Sequence, residues 1–214
     1  MDTHSEHATS EHHHAHWEER YSEKPRIWSG RANTRLVEIA GELTGSRALD
    51  LGCGEGGDAM WLAEHGWDVV AVDVSSTALA RAAEDAQARG VLGRIDFQQH
   101  DLTASFPEGP FDLVSAHFFH SMVDMDRPAI LRRAAATVAP GGTLLIVDHG
   151  DAPPWAPETV HHHEFPSGQE VLAGLALDPA EWETVRLGPA SREAVGPDGS
   201  QATLVDNVIQ LRRK

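Results

Sequence analysis

A short apolar run ending in a glycine cluster constrains this chain most: Arg47-Ala48-Leu49-Asp50-Leu51-Gly52-Cys53-Gly54-Glu55-Gly56-Gly57-Asp58, followed at once by the helical pattern Met60-Trp61-Leu62-Ala63. It reads as a strand, a tight turn and a helix. Glycines reach backbone angles closed to other residues and let a ligand approach the main chain. The first amides of the helix lack intrahelical partners and face whatever occupies the turn. The segment is therefore expected to hold a small molecule.

Gly52, Gly54 and Gly57 satisfy the dinucleotide spacing G-x-G-x-x-G, and Asp73 stands where a ribose-binding acid is expected. Asp50 argues against a pyrophosphate, because a carboxylate two residues before the first glycine adds negative charge beside two phosphates. The same carboxylate suits S-adenosylmethionine, which carries an ammonium and a sulfonium and no phosphate. An NAD-linked oxidoreductase is the weaker reading of the same turn.

The run Leu49 to Gly56 resembles the first motif of the class I S-adenosylmethionine-dependent methyltransferases. Three later stretches are similar to further motifs of that family: Val69-Val70-Ala71-Val72-Asp73, His100-Asp101-Leu102 and Pro140-Gly141-Gly142-Thr143-Leu144. The resemblance runs from about Arg31 to His149 in the right order. It implies that Asp50, Gly52, Cys53 and Gly54 meet the methionine part of the cofactor. Asp73 and Val74 would meet the ribose, and Asp101 and Leu102 the adenine. It also places His117 and Trp28 against the cofactor. Small members of the thiopurine and tellurite-resistance group begin with an aromatic-rich segment, and Trp17-x-x-Arg20-Tyr21 and Trp28-Ser29-Gly30 resemble it. Trp17, Tyr21 and Trp28 are thus expected to form a lid over the sulfonium, with residues 16–45 as a helical cover.

The remaining pattern alternates regularly. Strands are expected near Trp67–Val74, Ile95–Gln98, Phe111–Ala116 and Gly142–His149. Helices are expected through about His65, over Thr77–Arg89 and over Ala129–Val138. Alternation of this kind specifies an α/β fold with a parallel sheet covered on both faces. A helix near Gly168–Leu175, a strand at Thr184–Leu187, a turn at Gly196–Gly199 and a strand over Ala202–Leu211 complete the chain. The expected fold is a doubly wound, Rossmann-like, seven-stranded, mostly parallel sheet with an antiparallel last strand. Ligands of such sheets bind beyond the carboxyl ends of the strands, where Gly52, Asp73, Asp101 and His117 fall.

With 214 residues the chain suits one domain, residues 16–214. Lys+Arg 17 against Asp+Glu 33 gives a net charge of -16, which opposes nucleic acid and anionic membranes as partners and also an oxyanion such as tellurite as substrate. One cysteine excludes an internal disulfide, and the start carries no apolar signal segment, so a cytoplasmic location is expected. Residues 1–15 are polar, rich in histidine and without apolar periodicity, which reads as a disordered tail; interrupted histidines could otherwise capture a divalent metal.

Methyl transfer from a sulfonium is an in-line displacement that needs alignment and dryness rather than a covalent nucleophile. Cys53 is accordingly read as a small residue of the turn. His120, His117 and His149, at strand ends, are the candidate general bases, in that order for His120. Convergence of His117, His120, His149 and the run His161-His162-His163 on a metal is the alternative, although no metal is expected. The expected acceptor is a small molecule, first a soft nucleophile such as a thiol, which is partly ionised without help. O- or N-methylation of a phenol or amine comes second, and a non-catalytic sensor of cofactor or metal third.

Overall fold

The computed structural model describes residues 3–121, 123, 125–161 and 165–214, with side chains from His13 onward except Thr159. Seven strands form one sheet: β1 (Arg47–Leu51), β2 (Asp68–Asp73), β3 (Ile95–Gln99), β4 (Phe111–His117), β5 (Val138–His149), β6 (Trp182–Val195) and β7 (Gln201–Arg213). Their order is β3-β2-β1-β4-β5-β7-β6. β1 to β5 pair in parallel, and β7 runs antiparallel to both β5 and β6. The antiparallel last strand is present, inserted between β5 and β6.

Burial explains the strand sequences. Val69 to Val72 and Leu144 to Val147 are all buried, as a central strand covered on both faces requires. One core cluster, built on Leu49, Val114, Leu144 and Ile146, packs against helices α5 (Arg127–Ala136) and α7 (Gly168–Leu175). The other, built on Ala48, Val69, Leu113 and Leu145, packs against α2 (Thr34–Ala40) and α3 (Gly57–Glu64).

Several helix starts follow from local chemistry. Ser75 caps α4 (Ser76–Ala88) by accepting from the Ala78 amide, and Asp126 caps α5 by accepting from the Ala129 amide. Ser167 and Glu170 make a reciprocal capping box at α7. The strand expected from Gly142 instead begins at Val138, because the chain stays extended through Pro140 and a register shift separates the Phe111–Val138 and Leu113–Thr143 pairs. A proline sits comfortably at such an irregularity, since it owes no ladder hydrogen bond. β6 is also far longer than the expected Thr184–Leu187; as an edge strand its outer face is exposed, so apolar alternation is weak.

The helix α1 runs from Thr3 to Ser22, starting inside the segment whose composition reads as a tail. A four-residue helix, α6, spans Glu158–His161. No helix among the described residues is long and apolar enough to cross a membrane.

Candidate cofactor and methyl-transfer site

The carboxyl ends of β1 to β4 open into a cavity of about 250 Å³. Its floor is the glycine turn. Gly52 and Gly54 hold φ of +65° and +53°, and a β-carbon on either would meet a cavity wall: Phe119 Cδ2 at 2.7 Å from position 52, the Tyr21 hydroxyl at 2.8 Å from position 54. Both places therefore demand glycine for conformation and for space.

Three acids surround this floor. Asp50 is buried, and its Oδ2 has no hydrogen-bond partner among the described residues. Burial first, then the charges of Asp58 and Asp73, hold its carboxyl well above the usual range. Asp73 accepts from the Gly54 amide through Oδ2 (2.8 Å) and from the Ser75 amide through Oδ1 (2.9 Å), and burial raises its carboxyl as well. A buried carboxyl that the Ala59 amide reaches but that keeps one oxygen unpartnered, crowded by two further acids, suits a cation and repels a phosphate. The residues present fit S-adenosylmethionine.

The cavity roof comes from the N-terminal segment. The Trp28 indole donates to the Tyr21 hydroxyl (3.0 Å), and the Trp17 indole donates to Ser121 Oγ (3.3 Å); all three aromatics line the cavity. Three acids hold this roof down through hydrogen bonds, two of them, Glu55 and Asp58, themselves lining the cavity. Glu55 accepts from the Ile27 amide, the Trp28 amide and Arg81; Asp58 accepts from both the backbone and the side chain of Asn33. Glu18 of α1 accepts from Ser75, Ser76 and Thr77 at the start of α4. None of these ties is legible in the sequence, because partners such as Glu55 and Trp28 are 27 positions apart.

Every residue expected at the cofactor lines the cavity: Asp50, Gly52, Cys53, Gly54, Asp73, Val74, Asp101, Leu102, His117 and Trp28. Cys53 is a thiol whose ionisation burial pushes far upward, so it stays protonated and inert.

The candidate bases separate into different environments. His117 is buried, with Nδ1 2.8 Å from Ser115 Oγ and 3.6 Å from Asp58 Oδ2, and burial lowers its pKa. Its Nε2 is a buried atom with no hydrogen-bond partner among the described residues. His120 lines the cavity too, with Nε2 3.4 Å from Oδ1 of the buried Asp148. The Asp148 oxygen also accepts from Arg127 at 2.6 Å, and Arg127 donates to the Phe119 carbonyl at 2.7 Å. His149 does not reach the cavity lining; its ring stacks on Phe118 at 4.3 Å and stands 6.0 Å from His120. Phe118 adopts φ +51°, a strained conformation for a bulky residue, at the step where the chain leaves β4. His162 and His163 lie outside the described residues. Among the described residues no group of three or more His, Cys, Asp or Glu side chains is arranged to hold a metal ion.

Sequence reasoning assigned one buried cavity residue to a solvated, histidine-rich tail. His13, on α1, faces the cavity and is buried. Its signal was hidden in a histidine-rich stretch whose composition suggested solvent.

Comparison with known proteins agrees with this geometry. Residues 48–142 match the family model described as a methyltransferase domain. Demethylmenaquinone methyltransferase of Thermus thermophilus is 34% identical over 183 residues, covering 83% of this chain and 80% of that protein. Thiocyanate methyltransferase 1 of Arabidopsis thaliana is 30% identical over 148 residues, covering 65% of each. Among solved structures, one described for the conversion of a disulfide bond into a thioacetal group during echinomycin biosynthesis superposes with a TM-score of 0.67 at 27% identity, covering 89% of this chain and 86% of that one. TehB from Haemophilus influenzae shares the fold, with a TM-score of 0.68 at 20% identity over 92% of this chain and 67% of that one. Four other curated relatives are longer, and this chain spans 24–50% of their length; two of those are ribosomal RNA small subunit methyltransferases. Matched along four-fifths of the Thermus thermophilus enzyme at that identity, the chain belongs to the class I S-adenosylmethionine-dependent methyltransferases.

Proposed function

We propose that this chain transfers the methyl group of S-adenosylmethionine to a small-molecule acceptor, and that the acceptor atom is a soft nucleophile, with sulfur the first candidate. The observation that carries the proposal is the buried, unpartnered Asp50 oxygen beneath a glycine cradle, a place prepared for a cation. S-adenosylmethionine supplies an electrophilic methyl group on a positively charged sulfur. The chain's own share is binding, alignment and dryness: Asp50 attracts the charge, Gly52 and Gly54 permit close approach, and Trp17, Tyr21 and Trp28 exclude water.

Sulfur is favoured by two likenesses, to a thiocyanate methyltransferase and to the structure concerned with a disulfide-to-thioacetal conversion. A thiolate needs little proton removal, which suits a cavity whose histidines are tied up or buried. The second reading, O- or N-methylation, draws on His117, whose depressed pKa keeps a neutral imidazole with an unpartnered Nε2 beside the cavity. The net charge of -16 weighs against a nucleic-acid acceptor.

The test is S-adenosylhomocysteine release against a panel of thiols, phenols, amines and ribosomal RNA. Turnover with thiols is the expected result. Turnover only with phenols or amines moves the assignment to the second reading. Saturable binding of S-adenosylmethionine without release for any acceptor would replace transfer by sensing.

A further inference from the structure

The middle of α1 lies over the ends of β2 and β3. His14 Nε2 is 3.3 Å from Gln99 Nε2 at the end of β3, and that same Gln99 amide donates to the Val74 carbonyl just after β2. One residue earlier, His13 turns its ring into the cavity beside Asp101, which acts on it electrostatically. The residue is only 8% exposed, and among the described residues neither ring nitrogen has a hydrogen-bond partner. A buried neutral imidazole presents one donor and one acceptor in either tautomer. Leaving both nitrogens unmatched is costly, so the partner is expected to arrive with the ligand.

Sheet order says which part of the ligand that is. Across the cavity the strand ends run β3, β2, β1, β4. With the charged amino-acid and sulfonium end drawn to Asp50 after β1, and the acceptor side at His117 and His120 after β4, the nucleoside must extend toward β2 and β3. The ribose then falls at Asp73 and the base at Asp101, Leu102 and His13. A purine presents ring nitrogens and an exocyclic amine, which are the only polar groups left in that part of the cofactor.

We propose that His13 is a ligand of the cofactor's purine, hydrogen-bonding through a ring nitrogen to the adenine edge, so that the histidine-rich helix closes the nucleoside end of the cavity. This rests on the S-adenosylmethionine reading above. It assigns one histidine of the N-terminal stretch to recognition of the base rather than to solvent or metal.

Calorimetry with S-adenosylhomocysteine on the full chain, its His13→Phe and His13→Gln variants, and nitrogen NMR of histidine-labelled protein test the assignment. Phe keeps the ring's area and removes its polarity, so His13→Phe is expected to weaken binding by roughly tenfold, and His13→Gln to recover most of that loss. The His13 ring-nitrogen resonances should move on adding S-adenosylhomocysteine and stay in place on adding S-ribosylhomocysteine, which lacks the base. Should His13→Phe fail to fold, the NMR comparison on the parent decides alone. Binding by His13→Phe within twofold of the parent, or resonances unmoved by S-adenosylhomocysteine, would overturn the proposal while leaving the cofactor assignment intact. A parent chain that binds no S-adenosylhomocysteine at all would instead overturn the cofactor reading, and this one with it.

Discussion

Asp50 illustrates how one side chain can be set against the fold that carries it. Its carboxyl titrates high because it is buried and faces Asp58 and Asp73. A group whose folded pKa is raised contributes stability that is present below its unfolded value and lost as pH rises through the folded value. Ionised Asp50 therefore strains the ligand-free protein and is relieved by a bound cation. We expect S-adenosylmethionine binding to release protons while Asp50 is still partly protonated, with affinity rising as pH climbs through that window; calorimetry in two buffers of different ionisation enthalpy reads the proton count. Asp50→Asn should bind the sulfonium roughly thirtyfold more weakly, yet melt at a higher temperature than the parent at alkaline pH. Gly52→Ala tests the cradle itself. With φ +65° and Phe119 at 2.7 Å, an added methyl forces both a strained backbone, costing about 1–2 kcal/mol, and a displaced ring. Loss of cofactor binding with the sheet still folded is the expected outcome, seen by calorimetry beside a thermal melt. The need for glycine here was legible from spacing alone; the identity of the ring it accommodates was not, since Phe119 comes from the loop after β4.

At the scale of elements, the N-terminal segment is fastened by side-chain ties to distant parts of the chain. Glu55 is one of them, a buried carboxylate collecting two backbone amides and an arginine. Glu55→Ala leaves those groups without their acceptor and should loosen the docking of this segment by about 3 kcal/mol. Hydrogen exchange would read this as faster exchange at the Ile27 and Trp28 amides with protection in β1 and β4 unchanged, and cofactor affinity should fall in parallel. That the aromatics of this segment meet the cavity was anticipated from the resemblance to a family with such a cover. How they are fastened was not, because glutamates inside a glycine turn look locally like solubilising charge.

For the whole molecule, pH sets opposed terms against each other. Burial lowers the pKa of His13, His117 and His149, so their contribution to stability is present above the unfolded value of 6.5 and is lost as pH falls below it. Burial raises the carboxyls of Asp50, Asp73 and Asp148, whose contribution instead fades as pH rises through their elevated values. Melting temperature should therefore fall on acidification below about pH 6.5. On the alkaline side, stabilisation by added S-adenosylmethionine should grow with pH as Asp50 ionises, a trend that thermal melts with and without ligand would show.

Sequence by itself determined the alternation of strands and helices, the glycine turn after β1, the acids at the strand ends and the preference for a sulfonium over a pyrophosphate. These are local properties: backbone conformation, hydrophobic period and the charge carried within a few residues of a turn. Tertiary structure decided that β7 enters between β5 and β6, that His149 stacks behind Phe118 instead of reaching the cavity, and that His13 leaves a polar stretch to become buried beside Asp101. Each of those depends on side chains brought together from distant positions, and no window of sequence contains both partners.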